Sequence, residues 1–187
     1  MIGANIKPLN EQIDLAPSCE QPDDLWAKRC CQQALLAIEQ GCYGVGAVFV
    51  NAENELVCES RNQVFVEGDY QSQRHAEMEL IDLLENQFSH LNRRNLTLYV
   101  SLEPCVMCTG RILLSGIGRV RYLAKDAVGG LLTHRHHLPP AWANLAQQVS
   151  VAPARVDLFW SRFAQQCIEV NADQMRQKVV KHWEGMR

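Results

Sequence analysis

Leu96-Thr97-Leu98-Tyr99-Val100-Ser101-Leu102 runs straight into Glu103-Pro104-Cys105-Val106-Met107-Cys108. Five of the first seven residues are apolar, and the run is β-prone with no Gly or Pro, which predicts a strand over Leu96–Leu102. Pro104 then suits a helix start, where a missing N–H costs nothing. Ile112, Leu113 and Leu114 carry that helix to Ser115-Gly116. Cys105 and Cys108 stand three apart at its beginning, so both sulfurs fall on one face. A helix N-terminus favours negative charge and eases formation of thiolates. Two thiolates so placed can serve a catalytic zinc, a structural zinc knuckle or a redox pair.

Upstream, His75-Ala76-Glu77 opens another helix, whose face is marked by Met78, Ile81, Leu84 and Phe88 and widened by Leu80 and Leu83. An imidazole joins two thiolates as a zinc donor set. Three protein ligands leave one tetrahedral position for a water, whose pKa zinc lowers to about 7. Glu77, two positions after His75, reaches that water rather than the metal and can carry its proton. This chemistry is metal-assisted hydrolysis of an amino-substituted aromatic ring, with release of ammonia. A closed structural site needs a fourth protein ligand. His134, His136, His137 and the other cysteines are the candidates, and none has a fixed spacing to the Cys pair. A non-catalytic zinc scaffold is the alternative from another class.

Outward from these motifs, helices and strands alternate, which predicts a layered α/β domain. Asp23 or Asp24 can cap a helix carrying Leu25, Ala27, Cys31, Ala34, Leu35 and Ile38, stopped by Gly41. Val45–Val50 and Glu55–Ser60 predict a hairpin about the turn Asn51–Asn54. Arg61–Arg74 is a loop of a length that is often functional. Val120–Leu123 is a strand and Asp126–Pro140 a long loop. Within it His134-Arg135-His136-His137 is either a plain polar stretch or a group at a pocket mouth or on a phosphate. Ala141–Ala146 predicts a short helix and Gln148–Ala152 a strand. Pro153 starts a final helix with Val156, Phe159, Trp160, Phe163 and Cys167 on one side and a break near Asn171. The expected organisation is an irregular arm over 1–22 and one domain over 23–187, with 154–187 its C-terminal helical segment.

Composition narrows the function classes. The 187 residues are 47% hydrophobic and 21% charged, as in an ordinary globular domain. A formal net charge of -3 gives no global pull towards nucleic acid. No apolar run approaches the ~20 residues that span a bilayer, and Met1–Pro22 lacks the pattern of a secretory signal. The eight cysteines include the adjacent Cys30 and Cys31 and the metal-spaced Cys105 and Cys108, which suits a reducing, cytoplasmic compartment better than a disulfide framework.

The motifs resemble the cytidine deaminase-like superfamily, and within it the branch of guanine deaminases and tRNA wobble-adenosine deaminases. The matching pieces are Gly46-Ala47-Val48, Asn62, His75-Ala76-Glu77, Ser101 through Gly110, Ile117-Gly118-Arg119-Val120 and Ala124-Lys125-Asp126. The resemblance implies a three-layer α-β-α fold around a mixed sheet of about five strands, and a homodimer with the pocket near its interface. It implies one Zn2+ per chain on His75, Cys105 and Cys108, with water as fourth ligand, and Glu77 as catalytic proton shuttle. Asn62, Ala76 (through its backbone) and Asp126 are the implied substrate contacts, and Glu103 is expected to brace the second motif. Departures from the tRNA enzymes weaken that reading, among them a slightly longer Arg61–Arg74 and a divergent Leu131–Ala152. Val45 stands where tRNA enzymes carry Pro, and the tail mixes Arg176, Lys178 and Lys181 with Glu169, Asp173 and Glu184. The expected substrate is therefore a free purine such as guanine, with adenosine in tRNA as the alternative. Guanine deaminases of this superfamily close the pocket with their C-terminal segment, which points to Trp183 here.

Overall fold

The computed structural model describes residues 2–185. Five strands, β1 (Gly46–Val50), β2 (Leu56–Arg61), β3 (Thr97–Leu102), β4 (Arg119–Ala124) and β5 (Ser150–Pro153), form one sheet in the order β2-β1-β3-β4-β5. The β1 strand pairs antiparallel with β2 and β3, whereas β3–β4 and β4–β5 are parallel. The expected mixed five-stranded sheet between helices is the observed architecture.

Side chains leave the central strands alternately, as a pleated backbone requires. Val48, Val50 and Tyr99 enter one core with Trp26, Ala34 and Ile38 of α2 (Asp24–Glu39) and Trp160 and Phe163 of α6 (Leu158–Glu169). Ala47, Phe49, Leu98 and Val100 enter the opposite core with Leu80 and Leu84 of α3 (Ala76–Gln87) and Ile112 of α4 (Val106–Ser115). The α3 and α4 helices thus share a face, and both begin where β3 ends. A third, smaller cluster joins Ala37, Cys42, Val64 and Phe65 to Met175 of α7 (Ala172–Gly185).

Four local expectations are corrected. The arm expected to be irregular contains α1 (Ile2–Asp14), which carries Pro8 within it. Leu9 and Ile13, four apart, find a distant partner in the α2–α6 core. Neither Asp23 nor Asp24 makes a side-chain cap to α2. Instead Asp23 accepts from the Tyr99 hydroxyl at 2.8 Å and from the Arg155 N–H at 2.7 Å. Asp24 accepts from the N–H groups of Glu20, Gln21 and Asp157 at 3.0, 2.8 and 2.8 Å. These two carboxylates hold the start of α2 to the loop before α6.

Both prolines read as helix starts lie just outside their helices. Cys105 is the N-cap of α4, and Pro104 precedes it in extended chain. Pro153 ends β5, an edge strand where a missing donor is tolerated, and Asp157 caps α6 by accepting from the Phe159 N–H at 2.7 Å. The loop holding the three histidines contains a 3-10 helix, Leu132–His137, before α5 (Pro140–Ala146). Among the described residues no helix is long and apolar enough to cross a membrane.

Gly46 is where β1 passes closest to α2. A Cβ there would run into the Cys30 carbonyl oxygen and the Ala34 backbone nitrogen. Gly46→Ala is therefore expected to destabilise the fold by about 1–3 kcal/mol, the usual cost of overpacking. A thermal melt unchanged from the parent chain would contradict this close approach.

Candidate active site

The β3 strand delivers the chain to Cys105, and α3 starts beside it with His75 as its N-cap. His75 Nδ1 lies 3.7 Å from Cys105 Sγ and 3.6 Å from Cys108 Sγ. The three donor atoms lie within 4.8 Å of one another. Zinc bonds of about 2.0–2.3 Å at tetrahedral angles give ligand–ligand separations of roughly 3.6 Å, so this nitrogen and two sulfurs fit that ion. Among the described residues no fourth His, Cys, Asp or Glu joins the group. His134 stacks on His137, which meets His136 edge-on, in the Leu132–His137 turn, and none of the three lines this cavity.

The cluster's own electrostatics call for a cation. The hydrogen bond with Cys108 draws the Cys105 thiol down to about 4, against burial and with help from His75. The same hydrogen bond and burial push the Cys108 thiol up. Burial works against a charged His75, but the Cys105 hydrogen bond and the charges of Glu77 and Cys105 outweigh it and raise its pKa. Metal uptake displaces such protons.

Glu77 is 3% exposed, and burial pushes its carboxyl above the ordinary range. It lines a cavity of about 540 Å³ together with His75 and Cys105. A buried carboxylate beside an open metal position can accept and return a proton.

Asn62 and Asp126 line the same cavity. Asn62 is 2% exposed and accepts from the Val64 N–H at 3.3 Å, which leaves its amide NH2 as a donor at the wall. Asp126 Oδ1 accepts from the Val128 and Gly129 N–H groups at 3.0 and 2.9 Å, so one oxygen shapes its own turn. Ala76 is not on the wall. Its side chain is buried in the α3 core, and its backbone forms the first residue of that helix.

The chain after Asp126 is tied back to the cysteine motif. Pro104 O accepts from the Leu131 N–H at 3.0 Å, and Glu103 Oε1 accepts from the Thr133 N–H at 2.8 Å. Glu103 is buried with Oε2 unpartnered, so its visible work is to brace this loop.

Sequence reasoning missed most of the far wall. Gln165, Ile168 and Glu169 of α6, and Ala172, Arg176 and Val179 of α7, face the cavity, and Trp183 stands at its edge, 57% exposed. The α7 helix is docked: Asn171 Nδ2 donates to Cys42 O at 2.7 Å, Lys178 Nζ sits 4.0 Å over the Phe65 ring, and His182 packs on Tyr70. The only signal for this wall was Trp183.

Residues 20–124 match the cytidine and deoxycytidylate deaminase zinc-binding region. The chain belongs to that family. Its sequence is 37% identical over 125 residues to a tRNA-specific adenosine deaminase of Haemophilus influenzae, covering 67% of this chain and 71% of that one. It is 36% identical over 108 residues to a tRNA-specific adenosine deaminase of Bacillus subtilis, covering 58% of this chain. The match spans 65% of that relative's length. Among solved structures, guanine deaminase from Nitrosomonas europaea shares the fold with a TM-score of 0.60 at 18% identity, over 87% of this chain and 91% of that one. A structure from a study of A-to-I editing by tRNA:A34 deaminases gives 0.59 at 24% identity, over 70% of this chain and 97% of that one.

Removing one sulfur tests whether the cluster holds metal. Cys105→Ala is expected to lose zinc, and with it thermal stability, because metal binding and folding are linked. Full zinc content in that variant by elemental analysis would rule out the His75–Cys105–Cys108 donor set.

Proposed function

We propose that this chain is a zinc-dependent hydrolytic deaminase of an aminopurine, acting on adenosine in tRNA. The observation that carries the reaction class is the buried Glu77 beside a three-donor metal cluster at the base of the cavity. In this reading His75, Cys105 and Cys108 hold the zinc. The metal, when bound, supplies Lewis acidity and lowers the pKa of a water. Glu77 takes the proton of the attacking water, gives it to a ring nitrogen, and delivers a proton to the departing amine. A carbon–oxygen bond forms, the carbon–nitrogen bond breaks, and ammonia leaves. Asn62 donates its amide to the base, and Asp126 borders the base or sugar.

The sequence relatives support tRNA adenosine over the free guanine expected from composition. Free purine stands as the second reading, favoured by the net charge of -3 and by the α6–α7 wall that narrows access from one side. The exposed apolar residues Val106 and Leu114 on α4 support a homodimer. A single-chain mass by light scattering would remove that part of the reading.

The deciding assay pairs two measurements on zinc-loaded protein. One is inosine formation in an anticodon stem–loop. The other is ammonia release from guanine, adenine, cytosine, cytidine and guanosine. Inosine formation without turnover of the free compounds is the expected result. Turnover of guanine alone would transfer the assignment to the second reading, and no turnover of any substrate would defeat the enzyme reading. Glu77→Ala should keep its zinc and lose ~10²–10⁴-fold in rate. Full activity in that variant would refute the proton role.

A further inference from the structure

The parallel strands β3 and β4 end at the zinc cluster, and their opposite ends carry an unexplained charge. Arg119 and Arg121 alternate with the core residues Val120 and Tyr122, so they project from the α2–α6 face of the sheet. With Arg155, which follows β5, they line a cleft of about 320 Å³ bounded also by Asp23, Thr97 and Tyr99. Thr97 and Tyr99 pair in register with Arg119 and Arg121. The cleft lies at the start of β3, some five residues from Leu102, or about 17 Å along the strand at ~3.3 Å per residue.

Two of the guanidinium groups are held in place by neutral partners. Arg119 donates from Nε to Thr97 Oγ1 at 2.8 Å and from Nη2 to Asn95 O at 2.6 Å. Arg121 donates from Nη1 to Val120 O and Ser150 O at 2.8 and 3.1 Å. The Arg155 side chain makes no hydrogen bond among the described residues, and its backbone N–H is bound by Asp23. None of the three reaches a carboxylate within 4.0 Å among the described residues, although this acidic chain pairs Arg29, Arg74, Arg93 and Arg111 with Glu or Asp. Arg121 and Arg155 both act on the ionisation of the Tyr99 hydroxyl, opposing burial and Asp23, which raise it. Both cations therefore bear on one point of the cleft.

Three guanidinium groups against the single carboxylate of Asp23 leave two positive charges uncompensated. Planar forks with free N–H groups match the oxygens of phosphate, and holding them beforehand reduces the entropy lost on binding. We propose that this cleft binds a phosphate dianion, inorganic or carried as a monoester, at a site separate from the zinc cavity. A cleft of about 320 Å³ at one end of two strands suits a compact dianion. A polynucleotide backbone would call for an extended basic track, whereas Arg119, Arg121 and Arg155 gather on one cleft.

Calorimetric titration of the zinc-loaded full chain at low salt tests this, with inorganic phosphate, ribose 5-phosphate and ribose as ligands. The expected result is saturable binding of one dianion per chain and no binding of ribose. The tighter of the two phosphates identifies the source. Arg155→Gln removes no hydrogen bond of the fold, so its melt and zinc content should match the parent while phosphate affinity falls about tenfold, as loss of one charged hydrogen-bonding group predicts. Arg121→Gln should weaken binding similarly. Absence of saturable binding, or parental affinity in Arg155→Gln, would overturn the proposal. So would an oligoribonucleotide that binds more tightly than both small phosphates and loses affinity in the same variants.

Discussion

Three donor atoms from two separate helix starts must meet at one point, and the central sheet makes them meet. The β3 strand is covered on both faces, so its direction is fixed by two cores at once. It therefore delivers Cys105 to one place. The α3 helix packs on the same face as α4, and its N-cap brings His75 against both sulfurs. Burial of sulfur and carboxylate is costly without a compensating charge, and the upward push that burial gives Cys108 and Glu77 expresses that cost. A dication relieves it, so the architecture and the metal support one another.

The surrounding polar network serves the same end. Pro104, Glu103 and Gly130 join the cysteine motif to the loop after Asp126, through backbone hydrogen bonds and a Cys105–Gly130 bridge. Asp23 and Asp24 do comparable work at the other end, each satisfying groups far away in sequence. Carboxylates buried in this way are tolerated because they accept charge-assisted hydrogen bonds from backbone N–H and hydroxyl donors.

Legibility followed the range of the interaction. The strand before Cys105, the helix after His75 and the metal donors are local patterns of period, spacing and residue chemistry, and these were readable. What misled was residue type standing in for position. Pro104 and Pro153 suit a helix start, yet each lies in the extended chain before one. Asp23 looks like a cap, yet its oxygens go to Tyr99 and Arg155. The α1 helix was hidden because Leu9 and Ile13 acquire meaning only from α2 and α6. The cavity's far wall was hidden for the same reason, since nothing in Gln165 or Arg176 announces that two terminal helices fold back over residues a hundred positions earlier.

That far wall has an evolutionary consequence. The His75–Cys105–Cys108 donor cluster and Glu77 come from the end of β3 and the starts of α3 and α4, whereas the opposing surface is supplied by α6 and α7. The two sets share a volume and no covalent neighbourhood. Substitutions at the cavity-facing positions of α6 and α7 can alter this wall without touching the donor cluster. Because Trp160, Phe163 and Cys167 of α6 also belong to the main core, only cavity-facing positions such as Gln165 and Arg176 are free to vary in this way.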